Sequence, residues 1–403
     1  MLINLDVDVS ARTVEIKYSY PHPQDDQVVQ NLDMDKLKRI KSKINGANPQ
    51  STLIELNNTG VLYGVTRNGG NSSDDLGVIY RIDTIRNNTF TVIHHFTNNT
   101  GCHPVSPLVF DNDVFLFGST IRCGQFGYGN LFRFNLSDHT FNIIYEFHDI
   151  ANPENLFLDT NSGLLYGVTG VGSSTFYGSV FTIDIRHKTP STTFKQLFSF
   201  NYGVGAFPSN LILVNSSLYI NTQIFGRFGG GTLIKMDLDG KNAELIYAFG
   251  GDKALGCCPW GQFVLVTNGR DQYLYGTTMG AAECPSTIYR VGLTTITNQI
   301  ELVVTFNETT VGSAPFDGLI QSINSSLLYG VTSQGGMNNR GTIFRLNINN
   351  DESLEKLFDI PSDDIFGYKT LGGLLEVRNN SFYGPANLGG KYGLGTIYKV
   401  TIN

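Results

Sequence analysis

An aromatic residue followed by a short Gly/Thr-rich tail recurs seven times along the chain, and no other feature constrains the fold as tightly. The copies are Tyr63-Gly-Val-Thr66, Phe117-Gly-Ser-Thr120, Tyr166-Gly-Val-Thr169, Tyr219-Ile-Asn-Thr222, Tyr275-Gly-Thr-Thr278, Tyr329-Gly-Val-Thr332 and Tyr383-Gly-Pro-Ala386, spaced 54, 49, 53, 56, 54 and 54 residues apart. A second element follows each one, as in Gly77-Val-Ile-Tyr-Arg-Ile82, Gly178-Ser-Val-Phe-Thr-Ile183 and Gly341-Thr-Ile-Phe-Arg-Leu346. A proline-led run such as Pro208-Ser-Asn-Leu-Ile-Leu-Val214 precedes it, and an alternating run such as Phe141-Asn-Ile-Ile-Tyr-Glu-Phe147 ends the unit. β-Branched and aromatic residues bounded by Asn, Gly and Ser read as strands. Four strands per unit of this length, in seven copies, predict an all-β, seven-bladed β-propeller with four antiparallel strands per blade.

The whole chain, residues 1–403, reads as this single domain. Its blades span roughly 47–100, 101–150, 151–203, 204–254, 255–310, 311–364 and 365–403. The last unit stops after its third strand, and Thr13-Val-Glu-Ile-Lys-Tyr-Ser-Tyr20 carries the missing fourth-strand pattern, so residues 12–20 are expected to close blade 7. Closure inside one blade removes two free sheet edges. Between that strand and blade 1, residues 33–45 place Leu37, Ile40 and Ile44 on one face behind an Asp33 cap, which predicts a short helix with a solvated basic face.

The strand order and the Gly-Gly pairs after strand two (Gly69-Gly70, Gly229-Gly230, Gly335-Gly336, Gly389-Gly390) resemble Kelch-type propellers. The chain is more similar to the tandem Gly-Leu-Tyr-Gly-Thr-Thr…Gly-Gly…Gly-Thr-Val-Phe repeat proteins, carried here by Leu62-Tyr-Gly-Val-Thr66, Leu274-Tyr-Gly-Thr-Thr278 and Leu328-Tyr-Gly-Val-Thr332. That resemblance implies a propeller of the secreted or surface-displayed kind and supplies no catalytic residue. Blades 4 and 7 depart from it at Ile220-Asn221 and Pro385-Ala386, and pairing is expected to be interrupted at Pro385.

Composition narrows the function. A net charge of −7 gives no global basic field for nucleic acid, and no apolar run is long enough to span a bilayer as a helix. The start, Met1-Leu-Ile-Asn-Leu-Asp6, lacks the features of a secretory signal, while cysteines and sequons favour an extracellular, cell-surface or particle location. In an antiparallel blade, the 2–3 loops and the blade-to-blade 4–1 loops share one face. Cys102 and Cys123 fall in these two loops of blade 2, and Cys257, Cys258 and Cys284 in those of blade 5. Disulfides Cys102–Cys123 and Cys258–Cys284 are therefore expected, with Cys257 left over and a vicinal Cys257–Cys258 bridge as the alternative. No Cys-x-x-Cys spacing supports a zinc site with His103. Of nine sequons, Asn57, Asn87, Asn135, Asn215, Asn324 and Asn379 fall in turns of the opposite face, the other three being Asn71, Asn98 and Asn307.

The cysteine-bearing face also holds Arg67, Arg122, Phe126, Tyr128, Phe176, Tyr177, Arg227, Phe228, Trp260, Arg340, Lys391 and Tyr392. Aromatics interleaved with arginines suit a protein or glycan partner. Glu154 and Asp317 start the inner strands of blades 3 and 6 near the channel mouth, but these blades are not adjacent and no third residue supports them. His94, His95, His103 and His148 do not cluster like metal ligands, and Asp237-Leu-Asp-Gly240 lacks the Glu of a calcium loop. The expected function is thus a non-enzymatic recognition or scaffold module without metal or cofactor. The alternatives are a carbohydrate-active or other hydrolytic enzyme at the channel mouth and a self-assembling component of a large DNA virus particle.

Overall fold

In the repeat's second strand, side chains alternate between the two faces of the blade, and the Tyr-Gly pair sends one large and one absent side chain to opposite sides. The computed structural model describes residues 2–7 (backbone) and 45–402. It leaves out 72–73, 87, 112–113, 150, 173–175, 282, 294–298, 324–325, 350–351, 364–365 and 379. The described strands form seven sheets, six of four strands and one of five, arranged as a seven-bladed β-propeller. The five-stranded sheet is blade 1, whose inner strand is broken into Ala47–Pro49 and Ile54–Glu55, both paired with Val61–Asn68. No helix among the described residues is long and apolar enough to cross a membrane.

Seven apolar clusters hold the ring, and each belongs to two neighbouring blades. The motif aromatic always faces forward: Tyr63 packs toward blade 2, Phe117 toward blade 3 and so on round to Tyr383, which packs against blade 1. The motif glycine faces backward, directly across the ladder from the aromatic of strand three. The pairs are Gly64↔Tyr80, Gly118↔Phe132, Gly167↔Phe181, Gly276↔Tyr289, Gly330↔Phe344 and Gly384↔Tyr398. A Cβ on any of these glycines would overlap that ring. Blade 4 departs from the motif as a pair, with Ile220 opposite Ile234. Two medium side chains replace one ring and a gap.

The motif threonine closes the 2–3 loop. Its hydroxyl accepts the N–H that opens strand three, from Asn130 to Thr120 (3.1 Å), Thr232 to Thr222 (3.0 Å), Thr287 to Thr278 (2.9 Å) and Thr342 to Thr332 (2.8 Å). Every fully antiparallel blade shifts register between strands three and four, as at Ile79/Tyr80 and Ile343/Phe344, which strengthens the twist of the outer edge.

Blade 7 is closed from the N-terminal side, but by a different segment and in the other direction from the sequence expectation. Leu2–Val7 lies parallel to Thr396–Ile402, from Leu2↔Ile397 to Val7↔Ile402. The outermost place expected for residues 12–20 is therefore taken. Residues 12–20 and the helix expected over 33–45 lie outside the described residues, Asn45 excepted. At Pro385 only one ladder stops: pairing with the inner strand ends at Tyr383, whereas pairing with strand three runs on through Pro385↔Ile397. An edge-facing nitrogen tolerates the missing donor.

Candidate functional site

In six of the seven blades a proline opens the inner strand (Thr370 takes its place in blade 7), and the one to three residues after it reach the propeller axis. Around the ring they enclose a cavity of about 290 Å³, lined by Gln50, Glu154, Asn155, Asn210, Trp260, Gln262, Phe316 and Asp317. Arg67, near the end of the Val61–Asn68 strand, lines the same cavity. Hydroxyls tie successive inner strands together, from Ser106 to the Pro153 carbonyl (3.0 Å) and from Ser209 to that of Pro259 (3.3 Å).

A β-bulge delivers Glu154. The ladder passes from Pro153↔Thr169 to Asn155↔Val168, so Glu154 is the extra residue and its side chain is re-aimed into the channel. Gly170 leaves the room it needs, since a Cβ there would overlap the carboxyl, and Gln223 Nε2 donates to Oε2 at 3.3 Å. The carboxyl touches the cavity yet lies deep in the disc, and desolvation raises it to about 7 against the hydrogen bond from Gln223.

Asp317 stands three blades away, almost across the axis. Its carboxylate accepts from Thr52 Oγ1, from the Gly373 N–H and from the Gln262 side chain. Desolvation outweighs these donors and raises it to about 7 as well. Two carboxyls with midpoints near neutrality, facing one cavity, can hold or accept a proton at the pH where most carboxyls are simply charged. Trp260 and Phe316 meet edge to face at 5.4 Å between them and offer apolar ring surface to the same space.

The sequence-predicted recognition face divides when placed in space. Arg67 and Trp260 reach the cavity. His103 fixes the former's backbone, its Nδ1 lying 3.1 Å from the Arg67 carbonyl. Arg122, Phe126, Tyr128 and Phe176 are exposed on the rim, and Phe126 packs on His148 at 4.3 Å. Arg227 covers exposed Phe228 at 5.2 Å, while Tyr177 turns its edge to Phe225 at 5.8 Å. Arg340 stacks over Tyr368 at 4.5 Å, and Lys391 covers Tyr392 at 5.2 Å. Tyr392 is only 6% exposed and is a packing residue. Of the histidines, His94 stacks on Phe141 at 4.1 Å, and burial lowers it to about 4, so it is a neutral core ring.

Cys102 and Cys123 form the expected disulfide, with Cα atoms 5.4 Å apart. In blade 5 the three thiols are free, and it is Cys257 rather than Cys258 that lies against Cys284. Asn57 and Asn215 are exposed and Asn135 is half-buried, while Asn87, Asn324 and Asn379 lie outside the described residues.

The amides Gln50, Asn155, Asn210 and Gln262 were missed by sequence reasoning, although each follows its blade's proline by one to three positions. That offset was the available signal.

The Gloeobacter/Verrucomicrobia repeat family matches residues 29–181 and 209–403. The chain belongs to this family. No curated protein matches the sequence. Among solved structures, an oligogalacturonate lyase in complex with manganese is similar over 89% of each chain, with a TM-score of 0.56 and 13% identity. A protein described as a 6-phosphogluconolactonase from Bacteroides fragilis is similar over 80% of this chain and 86% of its own, with a TM-score of 0.54 and 14% identity. The periplasmic gluconolactonase of Pseudomonas aeruginosa is similar over 88% of this chain and 89% of its own, with a TM-score of 0.52 and 12% identity. At such identities the likeness is one of fold.

The expectation of a non-enzymatic recognition or scaffold module is corrected toward its hydrolytic alternative, since the channel mouth carries two perturbed carboxyls and the three similar folds belong to proteins described as enzymes. The sequence places Glu154 and Asp317 near the channel mouth but gives no reason to join carboxyls from non-adjacent blades; the assembled disc turns both to one cavity and desolvates both. Among the described residues no group of three His, Cys, Asp or Glu side chains is arranged to hold a metal ion.

Proposed function

We propose that this propeller is an enzyme that cleaves an acidic sugar derivative, a lactone or a glycoside of an oxidised sugar, over the axial cavity. The observation that carries the reading is the pair of carboxyls, Glu154 and Asp317, raised to about 7 and turned to one cavity. Near neutral pH each is close to half protonated, so one can donate a proton while the other accepts one. Arg67 supplies the cation for a substrate carboxylate or phosphate. Trp260 gives a ring face for the sugar's C–H surface, and the four amides meet its hydroxyls. The names of the three structural neighbours point the same way, because oligogalacturonate and gluconolactones are both oxidised sugars.

The test is turnover of oligogalacturonate and of gluconolactone, followed by NMR, with Glu154→Gln and Asp317→Asn beside the parent chain. Turnover of one substrate that falls about 10²–10⁴-fold in each variant is the expected result, the usual range for a lost general acid or base. No turnover of either substrate by the parent chain would overturn the reading, as would variants as active as the parent.

A further inference from the structure

Blades 2 and 5 carry nearly the same four residues at the same bend, Gly101-Cys-His-Pro104 and Gly256-Cys-Cys-Pro259. Both glycines take positive φ (89° and 75°), and so do His103 (55°) and Cys258 (60°). The Cys102 carbonyl accepts from the Arg122 N–H at 3.3 Å, and the Cys257 carbonyl accepts from the Gly280 N–H at 3.0 Å. Cys257 therefore stands where Cys102 stands, and Cys258 stands where His103 does. Both inner cysteines are buried, at 1% and 4% exposure.

The partner cysteines arrive by different routes. Cys123 directly follows Arg122, and its counterpart after Gly280 is Ala281. Ala281 exchanges two backbone hydrogen bonds with Cys284, both 3.0 Å, which folds Cys284 back over the bend. Cys257 thus touches Cys284 on one side and Cys258 on the other. Cys258 and Cys284 are half-buried, while Cys257 is buried.

We propose that Cys258, Cys257 and Cys284 form a thiol–disulfide relay that takes oxidising equivalents from a low-molecular-weight disulfide and stores them as a Cys257–Cys284 bridge. Cys258, the partly exposed thiol next to the hub, is the entry point. A hydrogen bond from Cys257 holds Cys258 below the usual thiol range, and the same contact, with burial, pushes Cys257 up.

In the first step the Cys258 thiolate attacks the disulfide RSSR, forming Cys258–S–S–R and releasing one thiolate, which takes a proton to become RSH. Cys257 then gives up its proton and attacks the Cys258 sulfur, forming a Cys257–Cys258 bridge and releasing the second RSH. Finally Cys284, deprotonated, attacks the Cys257 sulfur and expels Cys258 as the thiolate. In sum, two protein thiols lose two electrons and two protons, and RSSR becomes two RSH. Each transfer between protein sulfurs uses a contact seen in the fold. The end product is the counterpart of the blade 2 disulfide, set three residues before Trp260 of the cavity.

The relay is tested by adding oxidised glutathione to the fully reduced chain, quenching by alkylation at intervals and mapping the peptides by mass spectrometry. The expected end product is Cys257–Cys284 with Cys258 alkylated. Cys258→His copies the blade 2 bend at the same positive φ, and should slow that bridge at least tenfold while Cys102–Cys123 closes at the parent rate. Cys257→Ser should trap a glutathione mixed disulfide on Cys258. Closure of Cys102–Cys123 in each variant reports that the fold is intact. A stable Cys258–Cys284 bridge would overturn the relay, as would three free thiols after blade 2 has closed. So would parent-rate closure in Cys258→His, or no mixed disulfide in Cys257→Ser.

Discussion

Blades 3 and 4 meet the channel with almost the same inner strand, Pro153-Glu-Asn-Leu156 and Pro208-Ser-Asn-Leu211, and with the same bulge after the proline. In blade 3 the bulged residue is a carboxyl raised to about 7. In blade 4 it is Ser209, whose hydroxyl ties down the Pro259 carbonyl at 3.3 Å. The backbone device is thus a property of the repeat, and the chemistry is a property of one residue placed on it. The two blades also differ in how they fill their interior, Gly167 against Phe181 in one and Ile220 against Ile234 in the other.

The largest expected effect comes from making blade 3 resemble blade 4. Glu154→Ser should cut kcat/KM about 10²–10⁴-fold on whichever sugar the parent chain turns over, while the variant keeps a cooperative thermal unfolding transition. An equal loss from Ser209→Ala would erase the distinction between the blades.

Glu154→Gln should sharpen it through pH. Burial raises Glu154 from its ordinary 4.5 to about 7, so the folded chain binds this proton more tightly than the unfolded one. The stability from the neutral carboxyl is fully present below about pH 4.5 and is lost as pH rises through 7. Urea melts of parent and variant should therefore diverge across that window, with the inactive variant more stable at pH 8 by at most about 3 kcal/mol. Parallel curves would show that the carboxyl is ordinary.

Gly167→Ala should cost about 1–3 kcal/mol by overfilling the space of Phe181, read as a lower urea midpoint. Ile220→Ala in blade 4 should destabilise for the opposite reason, by leaving a void.

The smallest effect separates two arginines that the sequence grouped together. Arg340→Gln removes a half-exposed stack on Tyr368, worth about 0.5–1 kcal/mol of stability, and should leave turnover unchanged. Arg67→Gln should leave stability nearly unchanged and raise KM for an anionic substrate.

The fold was legible because the repeat records a packing solution. Six glycines are absent side chains opposite six rings, and that coupling appears in the sequence as Tyr-Gly and the later aromatic at a steady offset. Closure was half legible. The missing fourth strand announced itself, but the strand that fills its place pairs in parallel, and a parallel partner has no turn or spacing to mark it. The site was the least legible region. The proline offset fixes which residues reach the axis, yet the meeting of Glu154, Arg67, Trp260 and Asp317 depends on ring closure across four blades. The deep burial that shifts the two carboxyls arises only in the assembled disc.

The parallel closing strand also sets how the molecule bears load. Leu2 lies beside Ile397 and Val7 beside Ile402, so a pull applied at Leu2 and at Ile402 draws the two strands past each other in opposite directions. All six residue pairs then resist together in shear. An antiparallel closing strand would have brought the two pulled ends to the same corner, where the pairs open in succession like a zipper. Blade 7 is a lap joint, and stretching the chain by its ends should require a single large force to open the ring.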